Sequence, residues 1–360
     1  VRKALLVINS GSSSVKFTLF ARDAELSVLA SGMVAGIGTA PVFTPKGAAS
    51  KSLQAGATHR DALDEILAFV DAAGEEITCA VHRVVHGGTK FLGPVVVTDD
   101  VLEGIKSLIP LAPLHQPHNV TAIEMLRRMK PDLLQIADFD TAFHARHDPL
   151  FTRYAISQGL HDSGIRRYGF HGLSYEWIAR TLKETRPDLA AGRVVVAHLG
   201  NGASLCALKN GESLDTTMGM TALEGLPMGT RSGSIDPGAV LYLVREFGVE
   251  KAERILYSES GLKGLSGISS DAKELSESAD SRAKFALDYF ALKTAQHIAV
   301  MATSLGGMDA LVFTGGIGEH AENIRAAILE RLSFLPKFET LIIPANEERL
   351  MAIHAVGVTT

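Results

Sequence analysis

Both halves of this chain open with the same local pattern, and that repetition limits the folds open to it. Residues 4–8 form an apolar run, a Gly/Ser turn follows at 9–14, and then Val15, Phe17 and Leu19 alternate with Lys16 and Thr18. A third run at 26–34 completes a predicted three-stranded meander. In the second half, a β-rich run at 193–199 leads into glycines at 200–202. A strand at 204–208, the hairpin signal Asn210-Gly211 and a strand at 213–216 follow. Each meander is succeeded by alternating helix and strand signals. In the first half these are a helix around Leu63, Ile66, Leu67 and Val70 and a strand at 77–85. In the second they are a long helix at 285–305, a strand at 311–314 and a helix at 321–332. The stretch 36–58 reads as an irregular excursion. An α/β chain of two similarly built domains is the economical expectation, with its boundary between positions 141 and 193.

Composition agrees. The 360 residues suffice for about two domains. A hydrophobic share of 46% supplies sizeable cores and excludes a disordered or fibrous chain. A net charge of -5 gives no basic footprint for nucleic acid. No apolar run reaches the ~20 residues of a membrane span, and no basic-then-apolar leader opens the chain. Cys79 and Cys206 sit in apolar runs and are expected to be buried thiols, which suits a reducing, cytoplasmic setting.

Three glycine-containing loops carry the chemical signal. Asn9-Ser10-Gly11-Ser12-Ser13-Ser14 precedes Lys16, a hairpin whose N–H groups and hydroxyls suit phosphate oxygens. Its glycine–lysine spacing is not that of a P-loop. His198-Leu199-Gly200-Asn201-Gly202 stands at the equivalent hairpin of the second half. Two such loops, one per domain, would grip a polyphosphate across a cleft. Gly315-Gly316-Ile317-Gly318-Glu319 joins a strand to a helix N-terminus, where backbone and dipole favour a nucleotide. Arg83 lies inside an apolar strand and needs an anionic partner, because burying an unpaired guanidinium is costly. Arg231 sits on a glycine-flanked loop. Asp140, His115 and His171 stand beside aromatic or proline residues, with structural and catalytic roles equally open on the residues alone.

Taken in order, the segments INSGSSSVKF, HRVVHGG, APLHQPHN, DFDTAFH, RRYGFHGLSY, VVAHLGNGAS, TALEGLPMGTRSGSIDPG, GISSD and FTGGIGEH closely resemble the acetokinase family. That family belongs to the superfamily of sugar kinases, Hsp70 and actin. The resemblance implies two ribonuclease-H-like domains flanking a nucleotide cleft. It places an N-terminal domain at 1–145, a C-terminal nucleotide-binding domain at 146–346, and a segment at 347–360 that packs back on the first. The implied reaction is ATP + acetate ⇌ ADP + acetyl phosphate, with Mg²⁺ as cofactor and Mn²⁺ able to substitute. A homodimer without nucleic-acid or membrane partners is expected.

Residue by residue, Asn9 and Glu347 match the family's magnesium positions, and Lys16 an ATP-binding one. Arg83 matches the carboxylate-binding arginine, Asp140 the catalytic acid, and His171 and Arg231 the transition-state stabilisers. His198, Leu199, Gly200, Asn201, Gly202, Asp271, Ala272, Lys273, Gly316, Ile317, Gly318, Glu319 and His320 fall in the nucleotide-binding segments. Val85, Leu114, His115, Phe170 and Ala222 fall at substrate positions. Because acetate is already ionised at neutral pH, Asp140 reads better as an arginine-orienting or metal-positioning group than as a proton acceptor. The chain departs from the common family pattern in four places: Tyr175 for histidine, Lys273 for arginine, His320 for asparagine and Ala222 for proline. The stretch between Phe334 and Leu341 also reads as shortened. A propionate or butyrate kinase, or an ATP-binding switch of the actin/Hsp70 type, are the alternative functions. Acyl-length kinetics separate the first; ATP hydrolysis without an acid-dependent product marks the second.

Overall fold

The computed structural model describes residues 2–359. The chain forms two compact units, Val1–Ala142 with Asn346–Thr360, and Phe143–Ala345. In the first unit the meander is β1 (Lys3–Ser10), β2 (Ser14–Ala21) and β3 (Val28–Ala35). It is extended outward by β4 (Val42–Pro45) and β5 (Lys51–Ser52). The region 36–58 is therefore not irregular throughout. Its strands are too short, between glycines and prolines, for a period-two pattern to stand out. Phe43 on β4 nevertheless packs against Phe17 and Phe69.

Helix α1 (His59–Asp71) starts at a capping box, in which the Thr58 backbone N–H donates to the Asp61 carboxylate at 2.7 Å. Its Ala62, Leu63, Ile66, Leu67 and Val70 face the sheet at helical spacing. Then come β6 (Glu76–Val84), β7 (Val95–Val96), helix α2 (Gln116–Met129) and β8 (Leu134–Phe139). The sheet order is β5-β4-β3-β2-β1-β6-β8-β7. β1–β4 are antiparallel neighbours, whereas β1, β6 and β8 run parallel.

The second unit contains α3 (Gly172–Thr185), β9 (Arg193–Leu199), β10 (Ala203–Lys209) and β11 (Glu212–Thr216). The β10–β11 turn uses Asn210 and Gly211, both at positive φ (55° and 78°), as a two-residue hairpin of this kind requires. Helices α4 (Pro237–Phe247), α5 (Ala272–Glu277) and α6 (Ser281–Leu305) precede β12 (Ala310–Thr314). α7 (Gly315–His320), α8 (Glu322–Arg331) and β13 (Glu339–Ile342) follow. This sheet has the order β11-β10-β9-β12-β13, again an antiparallel meander joined to a parallel pair. The sequence suggested one helix after the 315–318 glycines; instead α7 begins at Gly315 itself, and the chain breaks at Ala321 before α8.

The chain then returns to the first unit as α9 (Glu347–Thr359). Its role follows from β1. Ala4, Leu6 and Ile8 share a core with α1 and α2. Leu5 and Val7 point to the other face yet are also buried, and α9 packs against β1, β6 and β8. Both thiols are buried and unbridged.

Candidate functional site

In an α/β sheet, ligands meet the chain beyond the carboxyl ends of parallel strands. The candidate residues of the first unit gather there. Ile8 is opposite His82, and Arg83 opposite Asp138, so the ends of β1, β6 and β8 lie in register. Asn9 is near the end of β1, Arg83 near the end of β6, and Asp140 just past β8. Asp140 is 2% exposed. It accepts from Arg83 Nε at 2.8 Å and from Nη2 at 2.7 Å, a bidentate grip on one edge of the guanidinium. Glu347, opening α9, lies 3.8 Å from Nη1. Burial opposes the arginine's charge, but the Asp140 carboxylate, then Glu347, more than offset it, so its pKa stands above the ordinary arginine value.

The neighbouring segment is held by two amides whose role the sequence alone does not reveal. Gln116 Oε1 accepts from the His86 N–H at 3.1 Å while its Nε2 donates to the His86 carbonyl at 2.9 Å. Asn119 accepts from the Val85 N–H at 3.1 Å and donates to the Ser10 carbonyl at 2.8 Å. Both stand inside the quoted APLHQPHN motif, so the signal was present, but their partners lie 30 or more residues away. Val85 is half-buried, Leu114 is 45% exposed, and His115 caps the start of α2. Lys16 is exposed on β2.

In the second unit, Gly202 is the pivot. A Cβ there would come within 3.2 Å of both Arg231 Nη2 and His171 Nε2, so only glycine lets the loop approach both groups without displacing them. His171 adopts a left-handed conformation (φ 56°) at the N-cap of α3. A non-glycine residue seldom adopts it, and such strain gathers at functional positions. Its Nδ1 is hydrogen-bonded to Ser204 Oγ at 2.8 Å, and its ring stacks on His198 with centroids 4.4 Å apart. His198 Nδ1 is in turn bonded to Ser174 Oγ at 2.8 Å. Arg231 Nη1 donates to the Ala222 carbonyl at 2.7 Å. Phe170 is buried, and its carbonyl is bonded to His144.

A cleft of about 620 Å³, within the range of small-molecule sites, is lined by Gly200, Asn201, Asp271, Ala272, Lys273, Gly316, Ile317 and His320. Ser276, Glu277, Ala321 and Asn323 complete it, and none of these four was singled out from sequence. Asn323 Nδ2 donates to Ser276 Oγ at 3.1 Å, joining α8 to α5 along one wall. Asp271 caps α5, accepting from the Lys273 N–H at 2.8 Å.

Other residues of the nucleotide-binding segments also make contacts within the fold. Leu199 is fully buried. Gly318 lies under β9, where a Cβ would be 3.5 Å from the Ala197 carbonyl. Glu319 accepts from the N–H groups of Gly315 and Ala345, each at 2.9 Å. Both bonds go to Oε1, which caps α7 and ties the segment after β13 to it.

A buried histidine cluster lies behind this site. His144 Nδ1 and His147 Nε2 both bond Ser213 Oγ, at 2.8 and 2.6 Å. Burial pushes His144 down to about 4; burial, then His144 and the nearby arginines, push His147 down to about 3. In the first unit burial likewise pushes His82 down to about 4. Unfolded histidine titrates near 6.5, so each ring takes up a proton on unfolding between that pH and its folded value, and stability falls as pH drops through the window. Urea unfolding should therefore show a loss of about 2 kcal/mol per histidine between pH 7.5 and pH 5. Equal stability at the two values would contradict this assignment.

A family model described as the acetokinase family matches residues 4–350. An acetate kinase of Nitrobacter hamburgensis is 44% identical, the match covering 98% of this chain and 96% of the relative. One from Rhodopseudomonas palustris is 46% identical over 92% of this chain and 86% of its own. Among solved structures, a propionate kinase of Francisella tularensis superposes with a TM-score of 0.91 at 36% identity, covering 98% of each chain. The acetate kinase of Porphyromonas gingivalis superposes with a TM-score of 0.88 at 31% identity, covering 99% of this chain and all of its own. The two sheets are thus those of the sugar kinase, Hsp70 and actin fold, and the chain belongs to the acetokinase family.

Proposed function

We propose that the chain moves the γ-phosphoryl group of ATP to the carboxylate of acetate, giving acetyl phosphate and ADP in one reversible in-line step. The observation that carries this reading is Arg83. Its Nε–Nη2 edge is filled by Asp140, while its Nη1 stands 3.8 Å from Glu347. A guanidinium has a second bidentate edge, and a small carboxylate fits it. Acetate needs no general base, so Asp140 acts by orienting Arg83. Arg231 and the His171 ring would stabilise the equatorial oxygens of the phosphoryl group, where charge must be met in the transition state. The 620 Å³ cleft would take the adenosine part of the nucleotide.

Asn9 and Glu347 offer an amide oxygen and a carboxylate oxygen, hard donors that suit Mg²⁺ completed by water and phosphate oxygens. Among the described residues no group of three or more His, Cys, Asp or Glu forms an all-protein cage, and magnesium at phosphate sites seldom uses one. Bound there, the ion would neutralise phosphate charge.

Helix α4 has no buried residue, and its Leu241, Tyr242 and Phe247 are each about half exposed. This apolar face supports the proposal of a homodimer that covers it. No helix among the described residues is long and apolar enough to cross a membrane.

The likeness to a propionate kinase makes acyl length the question within this class. Val85 is the residue proposed to limit space beyond the acetate methyl group. One methylene in an apolar pocket is worth about 1–3 kcal/mol, or ~10–200-fold. The expected order of kcat/KM is acetate, then propionate, then butyrate. Val85→Ala should shift the ratio toward propionate. A preference for butyrate in the wild type would overturn the acetate assignment, and an unchanged ratio in the variant would remove Val85 from the pocket.

A further inference from the structure

Tyr175 is one of the largest fully buried side chains, yet it carries a hydroxyl that must be satisfied. It lies on the first turn of α3, four residues after His171, and its N–H donates to the His171 carbonyl at 3.1 Å. Its phenol reaches across to Ser204 on β10, which is itself fully buried, in a short hydrogen bond. Ser204 Oγ is also the atom bonded to His171 Nδ1 at 2.8 Å. One serine oxygen thus bridges Tyr175 and His171, and the three groups form a chain from the core to the ring facing Gly202 and Arg231.

We infer that Tyr175 and Ser204 are positioning residues that fix the neutral tautomer of His171 with its proton on Nε2. This rests on the role proposed above for His171. Of the three groups, the phenol is the most acidic donor, since tyrosine titrates near 10. The short Tyr175–Ser204 bond is therefore best made with the phenol donating. The serine oxygen then accepts from Tyr175 and turns its own proton toward Nδ1, which must accept. The ring proton is left on Nε2, the atom beside Arg231 Nη2 at the Gly202 loop. There an N–H adds a second donor for the anionic oxygen that Arg231 meets, whereas a lone pair would repel that oxygen. His198 stacks on the His171 ring, and His144 lies edge-on to Tyr175 at 5.7 Å. Two hydroxyls and a neutral imidazole suffice for this arrangement, with no charge placed on any of the three.

The test is the long-range ¹H–¹⁵N spectrum of histidine-labelled protein at pH 8.5, about two units above the ordinary imidazole value. A His171→Gln variant assigns the resonance. Wild type should show the Nε2–H pattern for His171. Tyr175→Phe keeps the ring and its packing but removes the donor; Ser204 is then free to accept from Nδ1–H, and the two tautomers should mix. Ser204→Ala should mix them as well. In steady-state assays Tyr175→Phe should lower kcat about 10-fold, with the KM values for ATP and acetate within about 2-fold of wild type. An Nδ1–H pattern in wild type would overturn the inference, as would a spectrum unchanged in both variants. A tautomer that mixes in Tyr175→Phe while kcat holds would support the hydrogen-bond chain and remove His171 from the transfer step.

Discussion

Arg231→Ala is expected to lower kcat by roughly 10³-fold or more, in line with other arginines that meet a transferring phosphoryl group. The guanidinium is anchored at one end, where Nη1 donates to the Ala222 carbonyl, and its Nη2 lies against the Gly202 backbone beside His171 Nε2. The side chain is therefore already aimed in the free protein. Its contribution should appear in turnover rather than in acetate affinity, because charge on the equatorial oxygens is met most strongly in the transition state. Lysine at this position keeps the charge but loses the planar fork, so Arg231→Lys should recover only a small part of the activity. The check is kcat and KM for both substrates, with nucleotide binding measured separately. Near-native turnover in Arg231→Ala would remove the arginine from the reaction.

Arg83→Ala should cost as much in turnover and should also raise the apparent KM for acetate, which distinguishes it from Arg231. A second consequence follows from burial. The substitution strands the Asp140 carboxylate, 2% exposed, without its guanidinium partner. Breaking a buried pair from one side costs about 3–5 kcal/mol. Loss of activity could then reflect loss of folding, and the double variant Arg83→Ala/Asp140→Asn separates the two. Removing both charges should restore much of the stability while leaving the enzyme inactive and still able to bind nucleotide. Activity regained in the double variant would show that Arg83 serves the fold alone.

The parts of this fold that were legible in the sequence are those with local signals. The meanders show as apolar runs, broken at the Gly/Ser turn of 9–14 in the first half and at the 200–202 glycines and Asn210-Gly211 in the second, and α6 shows by its length. β4 and β5 were not legible, since strands of four and two residues leave no period to read. Arg83 could be recognised as needing an anion, and Asp140 was present in a quoted motif. Their bidentate contact depends on β6 and β8 being neighbours, a fact of topology rather than of spacing. The same applies to Ser204, which meets Tyr175 and His171 only through the packing of α3 against the sheet. Glu319 adds a contact of another kind: a carboxylate four residues into a tight helix can accept the first free N–H of that helix, and its Oε1 does so, which the glycine motif alone does not announce. His354, bonded to the buried Asp138 at 2.7 Å and so fastening α9 over β8, had no sequence signal at all.

When a carboxylate oxygen attacks the transferred phosphorus, that oxygen stays bonded to it in the product, and one isotopic measurement reads it. The purified protein is incubated with ATP, Mg²⁺ and acetate carrying ¹⁸O in its carboxylate, and the products are followed by ³¹P NMR. Transfer to the carboxylate predicts acetyl phosphate whose phosphorus signal shows the small shift of one bonded ¹⁸O, formed with ADP in equal amounts and only when acetate is present. ADP and inorganic phosphate at the same rate with and without acetate, and no labelled acyl phosphate, would contradict the account and point to an ATP-hydrolysing switch.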